Sequence, residues 1–122
     1  MLIDQDISDI DGVFVNFFGK KAHTATGPLI LAARYGVPVI PMFMHLKKDL
    51  TYHVTCYPPI ELTDTGNPKA DLIANTQKCS DIYEAVIRQH PEQWAWFHRR
   101  WRHQPTEQEI GEVRPQLAGR TV

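Results

Sequence analysis

Cysteine is scarce in this chain: only Cys56 and Cys79 occur. They lie far apart and form no Cys-x-x-Cys pair, so neither a cysteine zinc site nor a disulfide framework is suggested. Two free thiols fit a reducing, cytosolic environment. No run reaches the ~18 apolar residues needed to span a bilayer, so any membrane contact is expected to be peripheral or to come from sequence outside this chain. A signal-peptide pattern is missing too, since the start Met1-Leu2-Ile3-Asp4 turns acidic almost at once. Residues 1–11 contain no Lys or Arg but hold Asp4, Asp6, Asp9 and Asp11. There is no Gly-x-Ser-x-Gly nucleophile elbow and no glycine-rich phosphate loop. With a net charge of −1, bulk charge does not make the chain a polyanion binder.

What remains is an ordinary globular balance, 43% hydrophobic and 22% charged over 122 residues, enough for one domain. Residues 2–4 read as the end of a buried strand, an abrupt start that suggests a fragment. Residues 13–18 are β-branched and aromatic and end at Gly19, which predicts a strand. A short helix is expected over 28–35, with Thr26 at its N-cap, Pro28 in the first turn and Gly36 at its C-cap. The apolar run 37–44 reads as a strand buried on both faces, with Pro38 and Pro41 constraining its ladder. Residues 51–57 form its hairpin partner. Spacings of three and four through Leu72, Thr76, Cys79, Tyr83, Val86 and His90 predict a long helix over 69–90. Pro91 ends that helix or starts a new turn. The expected architecture is α/β, a mixed sheet flanked by helices. Residues 1–104 form the domain part and 105–122 a polar, flexible tail.

Three constellations could carry chemistry. Asp4-Gln5-Asp6 could hold a metal, orient a histidine or contact an amine, or could simply be a capped acidic loop. Thr24, Thr26 and Gly27 gather hydroxyls and backbone N–H groups at a helix N-terminus, suited to phosphate or to plain capping. Residues 91–103 interleave Trp94, Trp96, Phe97 and Trp101 with Arg99, Arg100 and Arg102. Such a patch suits lipid phosphates at a bilayer interface, stacked bases, or tryptophans plugging one end of a core.

The string Pro91-Glu92-Gln93-Trp94-Ala95-Trp96-Phe97-His98-Arg99-Arg100-Trp101-Arg102 resembles the C-terminal signature of the bacterial lipid A biosynthesis (lauroyl/myristoyl) acyltransferases. Asp4-Gln5-Asp6, the segment from Gly12 to Gly19, Ala25-Thr26-Gly27 and Val39-Ile40-Pro41 follow in that family's order. The resemblance spans residues 1–104 and implies the C-terminal part of a glycerolipid acyltransferase-like fold with a membrane-facing groove. It implies acyl transfer from an acyl carrier protein (or acyl-CoA) thioester to a hydroxyl of a lipid A precursor or another glycolipid. The setting it implies is the cytoplasmic face of the bacterial inner membrane, with no cofactor, no metal and no nucleic acid.

That family uses a histidine general base in a His-x-x-x-x-Asp/Glu motif, the carboxylate orienting the imidazole. Here the six histidines are followed at that spacing by Pro28, Leu50, Pro58, Ala95, His103 and Gln108. The base is therefore expected upstream of Met1. Asp4 and Asp6 are expected to support the site. Thr24, Thr26, Gly27, Arg99, Arg100 and Arg102 are expected to bind acceptor or phosphate, and Trp94, Trp96 and Trp101 to pack at its membrane edge. An acyltransferase acting on another glycolipid or a lysophospholipid, and a non-catalytic anionic-lipid or nucleic-acid binding module, are the alternatives.

Overall fold

The computed structural model describes residues 3–7 and 10–109. Strand β1 (Gly12–Phe17) and strand β2 (Lys20–Ala25) form an antiparallel hairpin with Phe17 opposite Lys20 and Val13 opposite Thr24. The two residues between them, Phe18 (φ 49°) and Gly19 (φ 76°), are both left-handed, as a tight two-residue hairpin turn requires. β2 departs from the sequence expectation, which treated residues 23–27 as the approach to a helix. Its lysines and histidine carry little strand propensity; pairing to β1 decides its conformation.

Helix α1 (Gly27–Tyr35) follows with Pro28 in its first turn and Gly36 (φ 62°) as a left-handed C-cap. Thr26 is at the N-cap position but its hydroxyl makes no capping bond. Residues 37–41 then run outside any strand. Their prolines cannot donate to a ladder, yet the carbonyls of Val39 and Pro41 accept from the N–H groups of Ile60 and Tyr57.

Strand β3 (Met42–Leu46) pairs antiparallel with β4 (Tyr52–Cys56). The expectation of a strand buried on both faces is corrected here. The pairs Met42–Cys56, Met44–Val54 and Leu46–Tyr52 share one exposed, apolar face. Phe43 and His45 point the other way, where Phe43 meets Tyr83 edge to face at 4.9 Å. Among the described residues the strands form two separate antiparallel pairs.

Helix α2 (Pro68–Gln89) is the central prop, started by Asn67, whose side chain accepts from the N–H of Ala70. Its periodicity is as expected, and Pro91–Gln93 adds one 3-10 turn. The buried face mixes Cys79 and Ile87 with Asn75, Thr76 and Ser80. Each of these polar groups has a partner: Ser80 donates to the Asn16 carbonyl, Thr76 to that of Leu72, and Asn75 bonds the backbone of Thr63. Two small cores result, one around Ile3, Leu29 and Cys79, the other around Phe17, Ala22 and Ile87. The segment from Ile3 to Ile7 is irregular rather than the expected strand end. Of the expected tail, residues 110–122 lie outside the described residues. Its first part carries a capped turn in which the backbone N–H and hydroxyl of Thr106 donate to the Glu109 carboxylate.

Candidate functional site

The C-terminal signature does not continue as helix. After Gln93 it folds into successive tight turns, with the backbone N–H of Trp96, His98, Arg100 and Arg102 bonding carbonyls two or three residues back. These turns lay the run across β2 and the Ile3–Ile7 segment. Phe17 is the platform: Trp94 and Trp101 pack against its ring at 5.6 and 5.7 Å, and Arg100 stacks over it at 5.2 Å. The indole N–H of Trp101 also donates to the Phe17 carbonyl at 3.2 Å.

Arg100 is 1% exposed. Its guanidinium donates to the His23 carbonyl at 2.5 Å and to the Thr24 hydroxyl at 2.6 Å. Thr24 in turn donates to the Ala22 carbonyl. Burial lowers the Arg100 pKa, opposed by the charges of Asp6 and Asp4. Arg100 Nε and the nearby Asp4 Oδ1 are buried without a hydrogen-bond partner, and both residues line a void of about 10 Å³. The other Asp4 oxygen accepts from the Trp94 indole at 3.3 Å.

Asp6, 3% exposed, is gripped by three histidines. Its backbone N–H donates to His98 Nε2 at 2.8 Å. One carboxylate oxygen accepts from the His103 backbone N–H at 2.9 Å. The other lies 2.7 Å from His103 Nδ1 and 3.6 Å from His23 Nδ1. Burial by itself would push the Asp6 carboxyl up; the two His103 hydrogen bonds and the charges of His103 and His23 outweigh it and hold the pKa below the usual value. An aspartate bonded to one imidazole nitrogen can orient that ring for proton transfer or for metal binding.

The expected site residues therefore fall into separate environments. Asp4, Asp6, Thr24, Arg100, Trp94 and Trp101 converge. Thr26 is buried nearby, its hydroxyl donating to the Asp11 carbonyl at 3.3 Å, with Gly27 beginning α1 beside it. Arg99 and Arg102 are exposed, Trp96 is half exposed, and Phe97 is 92% exposed. His23, His98 and His103 belong to the cluster as well; the sequence reading assigns them no site role, because none has the His-x-x-x-x-Asp/Glu spacing. On the other side of Ile3 an apolar cavity of about 210 Å³ opens between α1, residues 39–43 and α2, lined by Leu29, Val39, Phe43, Ile60 and Tyr83.

The sequence profile of bacterial lipid A biosynthesis acyltransferases matches residues 1–103. The chain belongs to that family. It is 30% identical over 104 residues to the lipid A biosynthesis lauroyltransferase of Escherichia coli (strain K12), covering 84% of this chain and 33% of that protein. It is 28% identical over 101 residues to the phosphatidylinositol mannoside acyltransferase of Mycolicibacterium smegmatis, covering 83% of this chain and 31% of that protein. The chain thus spans about a third of the length of these relatives. Of the segments that carry the resemblance, those holding Asp4, Phe17, Thr24, Trp94, Arg100 and Trp101 meet here, whereas Val39-Ile40-Pro41 lines the apolar cavity.

Proposed function

We propose that this chain forms part of an acyl-transfer site that moves a fatty acyl group from an acyl carrier protein (or acyl-CoA) thioester to a hydroxyl of a lipid A precursor, in lipopolysaccharide biosynthesis. The observation that carries the reading is the adjoining of two features across Ile3: an apolar cavity fit for hydrocarbon, and the Asp4–Asp6 cluster that the signature closes over. Exposed Arg99 and Arg102 face the acceptor's phosphates. The general base comes from outside the matched segment, a reading supported by the histidine spacings. Membrane contact at the inner, cytoplasmic face involves Trp96 and Phe97; among the described residues no helix is long and apolar enough to cross a membrane.

A second reading takes another glycolipid as acceptor. It is favoured by the similarity, nearly equal in extent, to an enzyme named for phosphatidylinositol mannoside.

A chimera tests both. The matched third of the Escherichia coli lauroyltransferase is replaced by residues 1–104 of this chain and assayed with acyl carrier protein thioester. Transfer to the lipid A precursor supports the first reading, and transfer only to the mannoside supports the second. A folded chimera that acylates neither overturns both. Turnover by the 122-residue chain alone would overturn the external base and point to the Asp6–His103 pair.

A further inference from the structure

We propose that Asp6, His23 and His103 form a binding site for one divalent transition-metal ion of the zinc class. Among the described residues this is the one group whose ligand atoms converge, all lying within 4.8 Å of one another. Two imidazoles and one carboxylate suit zinc, cobalt or nickel, and are too nitrogen-rich for magnesium or calcium.

The two distances from Asp6 need little adjustment. In a tetrahedral zinc site with bonds near 2.0–2.1 Å, neighbouring ligand atoms lie about 3.3 Å apart. Here Asp6 Oδ1 is 2.7 Å from His103 Nδ1 and 3.6 Å from His23 Nδ1. Shifts of under about 1 Å bring both to that spacing, with the proton shared between Asp6 and His103 released to solvent.

The ligands are also held in place by their surroundings, as metal ligands usually are. His23 lies edge-on to Phe14 at 5.5 Å. Its ring is pressed so closely on Gly12 that a Cβ there would lie 2.7 Å from it. The His23 carbonyl is fixed by Arg100, and the second Asp6 oxygen by the His103 backbone. The rings of His23 and His103 are inclined at 71°, so their in-plane lone pairs can converge. The Asp6 side chain is fully buried, His23 is 19% exposed and His103 45% exposed, which leaves a solvent-facing position for water as fourth ligand. Glu109, pinned by Thr106, adds negative charge near His23.

The other histidine group does not meet these conditions. His45 and His90 stack at 17° with centroids 4.4 Å apart, so their lone pairs lie in parallel planes and cannot meet at one ion.

Bound metal would tie the N-terminal segment, β2 and the final turns together, across 97 positions of sequence between Asp6 and His103. The test is titration of the 122-residue chain with Co²⁺, read by visible absorption, and with Zn²⁺, read by thermal unfolding. One equivalent should bind with the intense bands of a tetrahedral site, and Zn²⁺ should raise the unfolding temperature. His103→Gln and His23→Gln should each weaken binding at least about tenfold, while His90→Gln leaves it unchanged. Should His103→Gln fail to fold by circular dichroism, His23→Gln decides alone, since the His23 ring lies 3.6 Å from Asp6, too far for a hydrogen bond whose loss would unsettle the fold. The proposal falls if the folded chain shows no saturable binding, or if binding survives His23→Gln undiminished.

Discussion

The buried guanidinium of Arg100 lies 2.6 Å from the hydroxyl of Thr24, a residue 76 positions away. Two residue types that suit phosphate thus satisfy each other inside the protein. The pair locks the C-terminal signature onto β2, whereas Arg99 and Arg102 are exposed.

Replacing Arg100 should therefore cost far more stability than replacing its neighbour. Arg100→Ala removes the donor to the Thr24 hydroxyl and the His23 carbonyl and opens a cavity beside Phe17, for a loss of about 2–4 kcal/mol. Arg99→Ala, at the surface, should stay within about 0.5 kcal/mol. Urea denaturation of the two variants measures both. Equal effects would remove the distinction.

Gln93 does for β3 what a further strand would do. Its side-chain amide accepts from the Leu46 N–H at 2.7 Å and donates to the Leu46 carbonyl at 3.0 Å. Gln93→Glu keeps the acceptor but loses the donor and sets a carboxylate against a carbonyl. A loss of about 1 kcal/mol is expected, with faster hydrogen exchange at the Leu46 amide; unchanged exchange would contradict it.

Acid should loosen the same corner. His45 has its pKa lowered, first by burial and then by the charges of His90, His53 and Lys47. The folded state thus favours neutral His45, and the unfolded chain binds the proton more readily. Stability is full above the unfolded value near 6.5 and declines as pH falls below it. Thermal melts between pH 7.5 and 5 should show this decline, and His45→Gln should flatten it. Asp6, whose pKa is lowered, acts in a more acid range, losing its contribution as pH drops through the carboxylate region.

The two thiols should differ sharply in reactivity. Cys56 is exposed, whereas Cys79 is buried and its pKa is pushed up to about 11 by that burial. Thiol labelling of the native chain at mildly alkaline pH should modify Cys56 alone, with Cys79 reacting after denaturation. Rapid labelling of both would show that the Cys79 core opens readily.

The elements read most directly from sequence are those whose signals are local. The period of α2 survives because one face packs on β1 while the other stays wet. The ends of α1 were marked by Pro28 and Gly36. The hairpin from Met42 to Cys56 is legible from the apolar run before the turn at Lys47-Lys48-Asp49 and the strand-like segment 51–57 after it. β2 was not legible, because Lys20, Lys21 and His23 become strand only by pairing with β1. Its one available signal was the pair Phe18-Gly19 at the hairpin turn.

By itself, then, the sequence determined the α/β class, the helices and the family, since capping residues, periodicity and a contiguous signature are all local properties. Tertiary structure decided which members of that signature are buried and what they touch. Asp6 meets His103 and Arg100 meets Thr24 only after the chain has closed loops of 97 and 76 residues. Local spacing carries no record of such closures, because they follow from the joint burial of Phe17, Trp94 and Trp101.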